Sequence, residues 1–581
     1  MAHHAPQPEL TDEDLKPLGM RGWPVFVAAL VVGIGGLLAG GLFALGSPDE
    51  LARFAYSYLV AYGYFLGISL GMVFFTIITQ LFRAGWCIAF RRVPEAFAAN
   101  MPVLLALALP ILAIVAYDGI VRAAAEDGKA TASHLYIWNR AFESHHGHGH
   151  DDAHGEDAHH DGEHAPDAAD PNHAHGQGDN GHASLPDAAR FDQGPVTPVA
   201  DPAPAGDPDA HGDHSDHGHH DPAPAAPALD QADKPSGAEA KAIQRADFMD
   251  ISGALVDPYD GAGKRPWLNA GFWTLRILAY LGILTAIGVY YHRKSVAQDT
   301  DGDAKHTLAR EAKAPWVTLL FALSLTYLAF DLLMSVDPGW YSTIFGVYYF
   351  AGSFLAAVCV MVLTLMLLQK AGLMRIVSVE HYHDLGKLMF AFVFFWGYIA
   401  FSQYMLIWYA SLPETTYWFE MRGVSLAGLD RPYIVPQSGS GWSYLAGLLL
   451  FGKLLVPFLF LLSRHVKRNM KLLACAAVWL LVMQYVDIYW VIMPVYALTV
   501  DGAAAGPPWP WVEIATFLGV GGLVIAGFID RFRRTAPIPH RDPRLFESMV
   551  LETAANAPLH PPSASVRHPQ PVSPPAPPAG A

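Results

Sequence analysis

The chain has 581 residues, 52% of them hydrophobic and 12% aromatic, with a formal net charge of −16. That apolar fraction places it in the membrane class and leaves no basic surface for nucleic acid. The acidity belongs to one insertion: residues 143–250 hold 23 Asp/Glu against four Lys/Arg, a charge of −19, so the rest of the chain sums to +3.

Residues 1–22 are acidic and polar, with no cleavable signal, and the first apolar stretch is too long for a signal core. Ten stretches of about 20 or more mostly apolar residues follow. They run approximately over 24–46, 54–81, 95–120, 267–291, 314–336, 341–369, 385–411, 441–463, 470–495 and 509–529. The segments are then 1–22 (N-terminus), 23–142 (spans 1–3 and the start of a loop), 143–250 (insertion), 251–530 (spans 4–10) and 531–581 (tail). The insertion carries sixteen of the chain's 27 histidines among Asp, Ala, Pro and Gly. Such a composition cannot bury a core and predicts disorder. Its histidines, among them His145, His148, His150, His214, His217 and His219, read either as loose chelators of zinc, copper or nickel or as a solvated spacer. The spacer is the better reading, because a defined metal site needs fixed ligands with supporting hydrogen bonds. The Pro-rich tail after Arg544 is expected to be disordered.

Short-loop Lys and Arg concentrate at the N-terminus, in the 2–3, 4–5, 6–7 and 8–9 connections and at the start of the tail, as in Arg91, Arg92, Arg310, Lys467 and Arg533. Positive-inside bias therefore predicts both termini in the cytoplasm and the His-rich insertion on the periplasmic or exterior side. Cys87, Cys359 and Cys475 show no haem-attachment or cluster spacing and read as small apolar residues.

Two ionisable residues stand inside apolar spans. Asp331 in span 5 and Asp487 in span 9 are each followed by a proline seven residues later, Pro338 and Pro494. A carboxylate at membrane depth is costly and marks a site with a partner nearby. Spans 2–5 and 6–9 share further features in the same order. Tyr64-Phe65-Leu66-Gly67 answers Tyr349-Phe350-Ala351-Gly352, and Arg276 answers Lys453. This predicts parallel repeats, two four-helix bundles flanked by spans 1 and 10, in an all-α integral membrane protein of about ten transmembrane helices. At about 1.5 Å rise per residue the aspartates lie roughly 10 Å inside their helix ends, and the basic residues roughly 14–16 Å inside from the same side. One ion pair per bundle follows: Arg276 with Asp331, and Lys453 with Asp487. Such pairs serve proton handling or only helix packing. Polar stripes favour the former: Ser324, Tyr327, Asp331 and Ser335 on span 5; Tyr398, Ser402 and Tyr409 on span 7 with Gln403 beside them; and Tyr58, Tyr62, Ser69, Thr76 and Gln80 on span 2. No histidine falls at mid-membrane, so the chain lacks paired haem ligands.

The stretches Ala329–Phe350 (AFDLLMSVDPGWYSTIFGVYYF) and His383–Glu414 (HDLGKLMFAFVFFWGYIAFSQYMLIWYASLPE) resemble a specific family. They are similar to the second polysulfide-reductase-like membrane subunit (F-subunit type) of alternative complex III, the bacterial quinol:cytochrome c oxidoreductase. The resemblance extends through Ala61–Gly85 and Pro94–Pro110 but not over the insertion or the tail. It implies a subunit beside a related polysulfide-reductase-like membrane subunit, below a periplasmic iron–sulfur subunit and c-type cytochrome subunits, with haem and clusters held only by those partners. It also implies quinol oxidation and proton conduction in the respiratory chain, with the related partner as the stronger candidate for the working quinol site. Within the matching motifs fall Asp331, Asp337, Trp340, Tyr341, His383, Asp384, Gln403 and Tyr404, candidates for a quinone site or a proton path. Two other readings compete: a metal-ion transporter with a His-rich collecting loop, and a purely structural membrane anchor.

Overall fold

The computed structural model describes residues 15–124, 135, 136, 138, 264, 266–424, 441–497, 507–508 and 510–549, leaving out the side chains of 119–124 and 413–414. Among these residues there are helices and no strands, and ten helices are long and apolar enough to cross a membrane. In chain order they are α1 Gly19–Ala44, α2 Pro48–Leu81, α3 Arg92–Asp118, α4 Ala270–Asp301, α5 Lys305–Val336, α6 Phe345–Lys370, α7 Val379–Ala410, α8 Gly441–Leu462, α9 Met470–Tyr496 and α10 Trp511–Phe532. The chain is an all-α, multi-pass membrane protein. The insertion with its six candidate metal histidines, and the tail beyond residue 549, lie outside the described residues.

Local sequence explains the helix ends. Ser47 caps α2 by accepting the Glu50 N–H, with Pro48 at the first helical position and Asp49 and Glu50 in the first turn. Asn269 and Asn469 cap α4 and α9 in the same way. Ser378 opens α7 in a reciprocal box with His381, so that histidine is a capping residue.

Helix pairing repeats with an offset of four. α2 packs on α3, α5 and α9; correspondingly, α6 packs on α7, α9 and α5. The pairs α3–α4, α4–α5, α7–α8 and α8–α9 complete two four-helix sets, joined along a central α2–α6 contact. Small residues set that contact. A Cβ on Gly71 would lie 2.5 Å from the Ala357 Cβ and 2.7 Å from the Ser353 carbonyl. α1 and α10 flank the pair of bundles and pack on each other through Gly33, Gly36, Gly519 and Gly522.

One end of the bundles holds Asp331 and Asp487; the other is a charged platform. There Arg91 pairs with Glu95 at 2.9 Å and Asp542 at 2.8 Å, Arg310 reaches the same two carboxylates, and Arg92 meets Asp299 at 2.5 Å. Of the tail after Arg544, expected to be disordered, Leu545–Met549 instead form a short helix. Residues 535–549 strap this end, Asp542 is buried, and the short helix Leu545–Met549 presents Ser548 to Ala89, Trp86 and His381. Burial works against ionised Asp542, yet Arg91, a backbone N–H and Arg310 hold its carboxyl below the ordinary range.

The α2 stripe is bonded into the bundle, and the α7 stripe faces largely outward. On α2 the Tyr58 and Tyr62 hydroxyls donate to the Leu107 and Leu104 carbonyls, and Thr76 to Met72 of its own helix. On α7 Tyr398 and Tyr409 point outward, 58% and 86% exposed, and only Gln403 turns inward. Helical spacing identifies a shared face; it does not say whether that face meets lipid or protein.

Candidate functional site

In the first bundle Asp331 and Arg276 form a closed pair. The Arg276 Nε and Nη2 donate to the two carboxylate oxygens at 2.7 and 2.8 Å, and the Trp267 indole adds a third bond at 3.0 Å. The guanidinium stacks 4.0 Å from the Trp267 ring and donates its Nη1 to the Trp267 carbonyl. Trp273 and Ser335 bind the main-chain oxygen of Asp331. A carboxylate gripped at both oxygens by one guanidinium is a geometry that Arg supplies and Lys does not. It is a lock between α4 and α5.

The second bundle carries the corresponding pair in a looser setting. Lys453 Nζ meets Asp487 at 2.5 Å, also donates to Gln484 Oε1 at 2.8 Å, and sits 4.0 Å from the Trp396 ring centroid. The Tyr348 hydroxyl donates to the other Asp487 oxygen. Lys453, Asp487 and Tyr348 are all buried. The backbone is shaped to bring the lysine in: α8 widens into a π-helix over Leu449–Leu455, and the freed Gly452 carbonyl takes the Trp479 indole N–H at 2.6 Å. Such π segments concentrate at functional positions, because they re-aim one side chain at a cost in helix regularity. The two pairs occupy corresponding places in the repeat but differ in chemistry. Lysine can lose its proton where arginine cannot, and Lys453 retains the Gln484 carbonyl and the Trp396 face if Asp487 is neutralised.

Beside Tyr348 and Trp396 lies a cavity of about 620 Å³ between α7, α8 and the segment 419–424. Gln403 and Tyr404 line it, along with Phe419 and Trp490. Gln403 accepts the Ser342 hydroxyl at 3.1 Å, which leaves the other end of its amide for the cavity. The Trp396 indole N–H is buried without an aligned acceptor and neighbours the Tyr348 hydroxyl.

Between the bundles, at the same end, Asp337 accepts the Tyr417 hydroxyl at 2.6 Å, while its second oxygen is buried without a donor. Trp340 stacks on Trp418 at 4.2 Å, and Arg422 lies 3.6 Å over the other ring system of that stack, Trp418. Arg422 donates to the carbonyls of Trp418 and Val491, and among the described residues no carboxylate lies within ion-pair distance of it. Burial raises the Asp337 carboxyl above its ordinary value and lowers Arg422 to about 9. Tyr341 is exposed, under the Lys264 ammonium.

His383 and Asp384 do not join this group. They sit in the first turns of α7, where Asp384 pairs with Lys387. Gln403 lies twenty residues further along the same helix, about 30 Å away by helix rise. One sequence motif thus spans both ends of a membrane helix and cannot supply one pocket. Sequence reasoning missed Tyr348, Gln484, Trp396, Tyr417 and Arg422. Of these Tyr348 and Trp396 stand within the family-like motifs, Gln484 stands one helical turn before Asp487, and Arg422 lies in an inter-span connection without periodicity.

No protein-family model matches the chain, and no curated protein matches it.

Proposed function

We propose that the chain is a proton-handling membrane subunit of a quinol:cytochrome c, or other periplasmic acceptor, oxidoreductase of the alternative complex III kind. The resemblance of Ala329–Phe350 and His383–Glu414 supports the class. On this reading the chain lies in a bacterial inner membrane with both termini cytoplasmic. It works beside a related polysulfide-reductase-like subunit, an iron–sulfur subunit and c-type cytochrome subunits that hold the electron carriers.

The observation that carries the proton role is the Lys453–Asp487–Tyr348 network at a π-helix, set against the saturated Arg276–Asp331 pair. Tyr348 donates to Asp487 and can accept a hydrogen bond on the same oxygen. A donor reaching Tyr348 therefore passes its proton on as the tyrosine proton moves to Asp487: one O–H forms on the carboxyl as another is replaced on the phenol. The Lys453 ammonium stays held by Gln484 and Trp396 through this change. Asp331 is assigned to packing, because its protonation would strand a guanidinium that donates to both of its oxygens.

The test is the intact complex purified with Asp487→Asn in this chain. Quinol:acceptor turnover should fall at least tenfold with assembly unchanged, whereas Asp331→Asn should lower yield and stability instead. Wild-type turnover and proton release in an assembled Asp487→Asn complex would remove Asp487 from the reaction.

A further inference from the structure

We infer that Trp479 is a positioning residue for Asp487: its indole N–H holds α8 in the π register that presents Lys453 to the carboxylate. Its bearing on function rests on the proton role proposed for Asp487. An α-helix sends each N–H to the carbonyl four residues back. In α8 the Val456 N–H reaches one residue further, to the Phe451 carbonyl, and so leaves the Gly452 carbonyl without its ordinary donor. The next main-chain donor in line would be residue 457, but Pro457 has no N–H. Both backbone groups that could answer Gly452 are therefore lost. The position is buried in a membrane-crossing helix, where an unmet carbonyl is costly. The Trp479 indole answers it from α9, at 2.6 Å.

Three residues of α9 make this contact. Trp479, Met483 and Asp487 recur every four residues and so share the face toward α8. Trp479 takes the Gly452 carbonyl, and Asp487 takes the ammonium of the next residue, Lys453. The glycine lets the two helices close: a Cβ on Gly452 would lie 2.8 Å from Met483 Sδ and 3.3 Å from the Trp479 ring. Without the indole N–H, the Gly452 carbonyl recovers a donor inside the helix by taking back the Val456 N–H, which closes the π segment into α. That change turns one end of the segment against the other by about 100°, one residue's worth of an α-helix, and carries Lys453 away from Asp487 and Gln484. The first bundle has no such device. There α4 runs as unbroken α-helix over Ala270–Asp301, and two guanidinium bonds hold the pair.

Trp479 is 43% exposed, and Trp479→Phe keeps a ring there while removing the N–H. Pro457→Ala supplies the missing main-chain donor, so in that background Gly452 no longer depends on Trp479. The experiment records infrared spectra of the full chain in lipid nanodiscs at several fixed pH values. The Asp487 band, ionised or protonated, is located at each pH by its loss in Asp487→Asn. Lys453→Met sets the scale, since it removes the ammonium outright. Trp479→Phe should move the Asp487 band by at least half the Lys453→Met shift, and Pro457→Ala should leave it in place. Combining Trp479→Phe with Pro457→Ala should restore the wild-type position, a rescue that an indole which only fills space would not show. A band unmoved by Trp479→Phe or by Lys453→Met, a shift that persists in the double variant, or an equal shift in Pro457→Ala alone would each overturn the inference. The proton role is read separately, from whether the band titrates. A band that keeps one form across pH sinks that role and leaves the positioning by Trp479 standing.

Discussion

The two ion pairs should respond differently to the same substitution. In Asp331→Asn the Arg276 guanidinium loses its counter-charge and one of two short hydrogen bonds, and the new amide N–H₂ faces a donor. Breaking a buried pair from one side costs about 3–5 kcal/mol. Unfolding entropy scales with chain length, so for a folded body of roughly 370 residues this lowers Tm by roughly 4–6 °C. In Asp487→Asn the Lys453 ammonium keeps Gln484 and the Trp396 ring, and the lysine can also shed its proton. The expected cost is about 1–2 kcal/mol, roughly 1–2 °C. Thermal unfolding in one detergent, followed by intrinsic fluorescence and by loss of the monodisperse chromatographic peak, measures both. Equal destabilisation by the two variants, or a larger loss from Asp487→Asn, would refute the division into a lock and a working pair.

Further outcomes follow from the same geometry. Tyr348→Phe keeps the ring packing but removes the donor to Asp487; turnover should fall at least tenfold with Tm within about 2 °C, and unchanged turnover would remove Tyr348 from the relay. Asp542→Ala takes from Arg91 and Arg310 one of the two carboxylates they share and leaves them Glu95, so about 3 kcal/mol should be lost and the C-terminal strap should become sensitive to limited proteolysis. The folded-state pKa of Asp542 is depressed, so its stabilisation is present above the ordinary value of 3.8 and is lost as pH falls below it. Asp337 has the opposite sign. Its carboxyl is raised by burial, the native state binds more protons than the unfolded chain above 3.8, and stability falls as pH rises through that window. Denaturation across mildly acidic pH should show the slope flattened in Asp337→Asn; an unchanged slope would place the effect elsewhere.

How far the sequence reached depends on which physical signal each feature leaves. Span length and hydropathy leave a strong one, and ten helices stand where ten apolar runs predicted them. Relative depth also survives, because helix rise is constant: Arg276 and Lys453 meet Asp331 and Asp487 on depth alone. Orientation of a polar face does not survive, since Tyr398 and Tyr409 share a helical stripe that looks outward. Nor could the sequence distinguish the two pairs. The difference lies in a π-helix at Leu449–Leu455 and in aromatic partners, Trp267 for one and Trp396 with Tyr348 for the other, that come from distant elements. The separation of His383 from Gln403 was readable from helix rise, but a single contiguous motif obscured it.

The most direct test of a proton-exchanging Asp487 is infrared difference spectroscopy of the full chain in lipid, comparing wild type with Asp487→Asn across a pH titration. A carboxyl C=O band is expected that gains and loses intensity reversibly, shifts in Tyr348→Phe, persists in Asp331→Asn and is absent in Asp487→Asn. A titrating band that survives Asp487→Asn unchanged, or one that disappears only in Asp331→Asn, would contradict it.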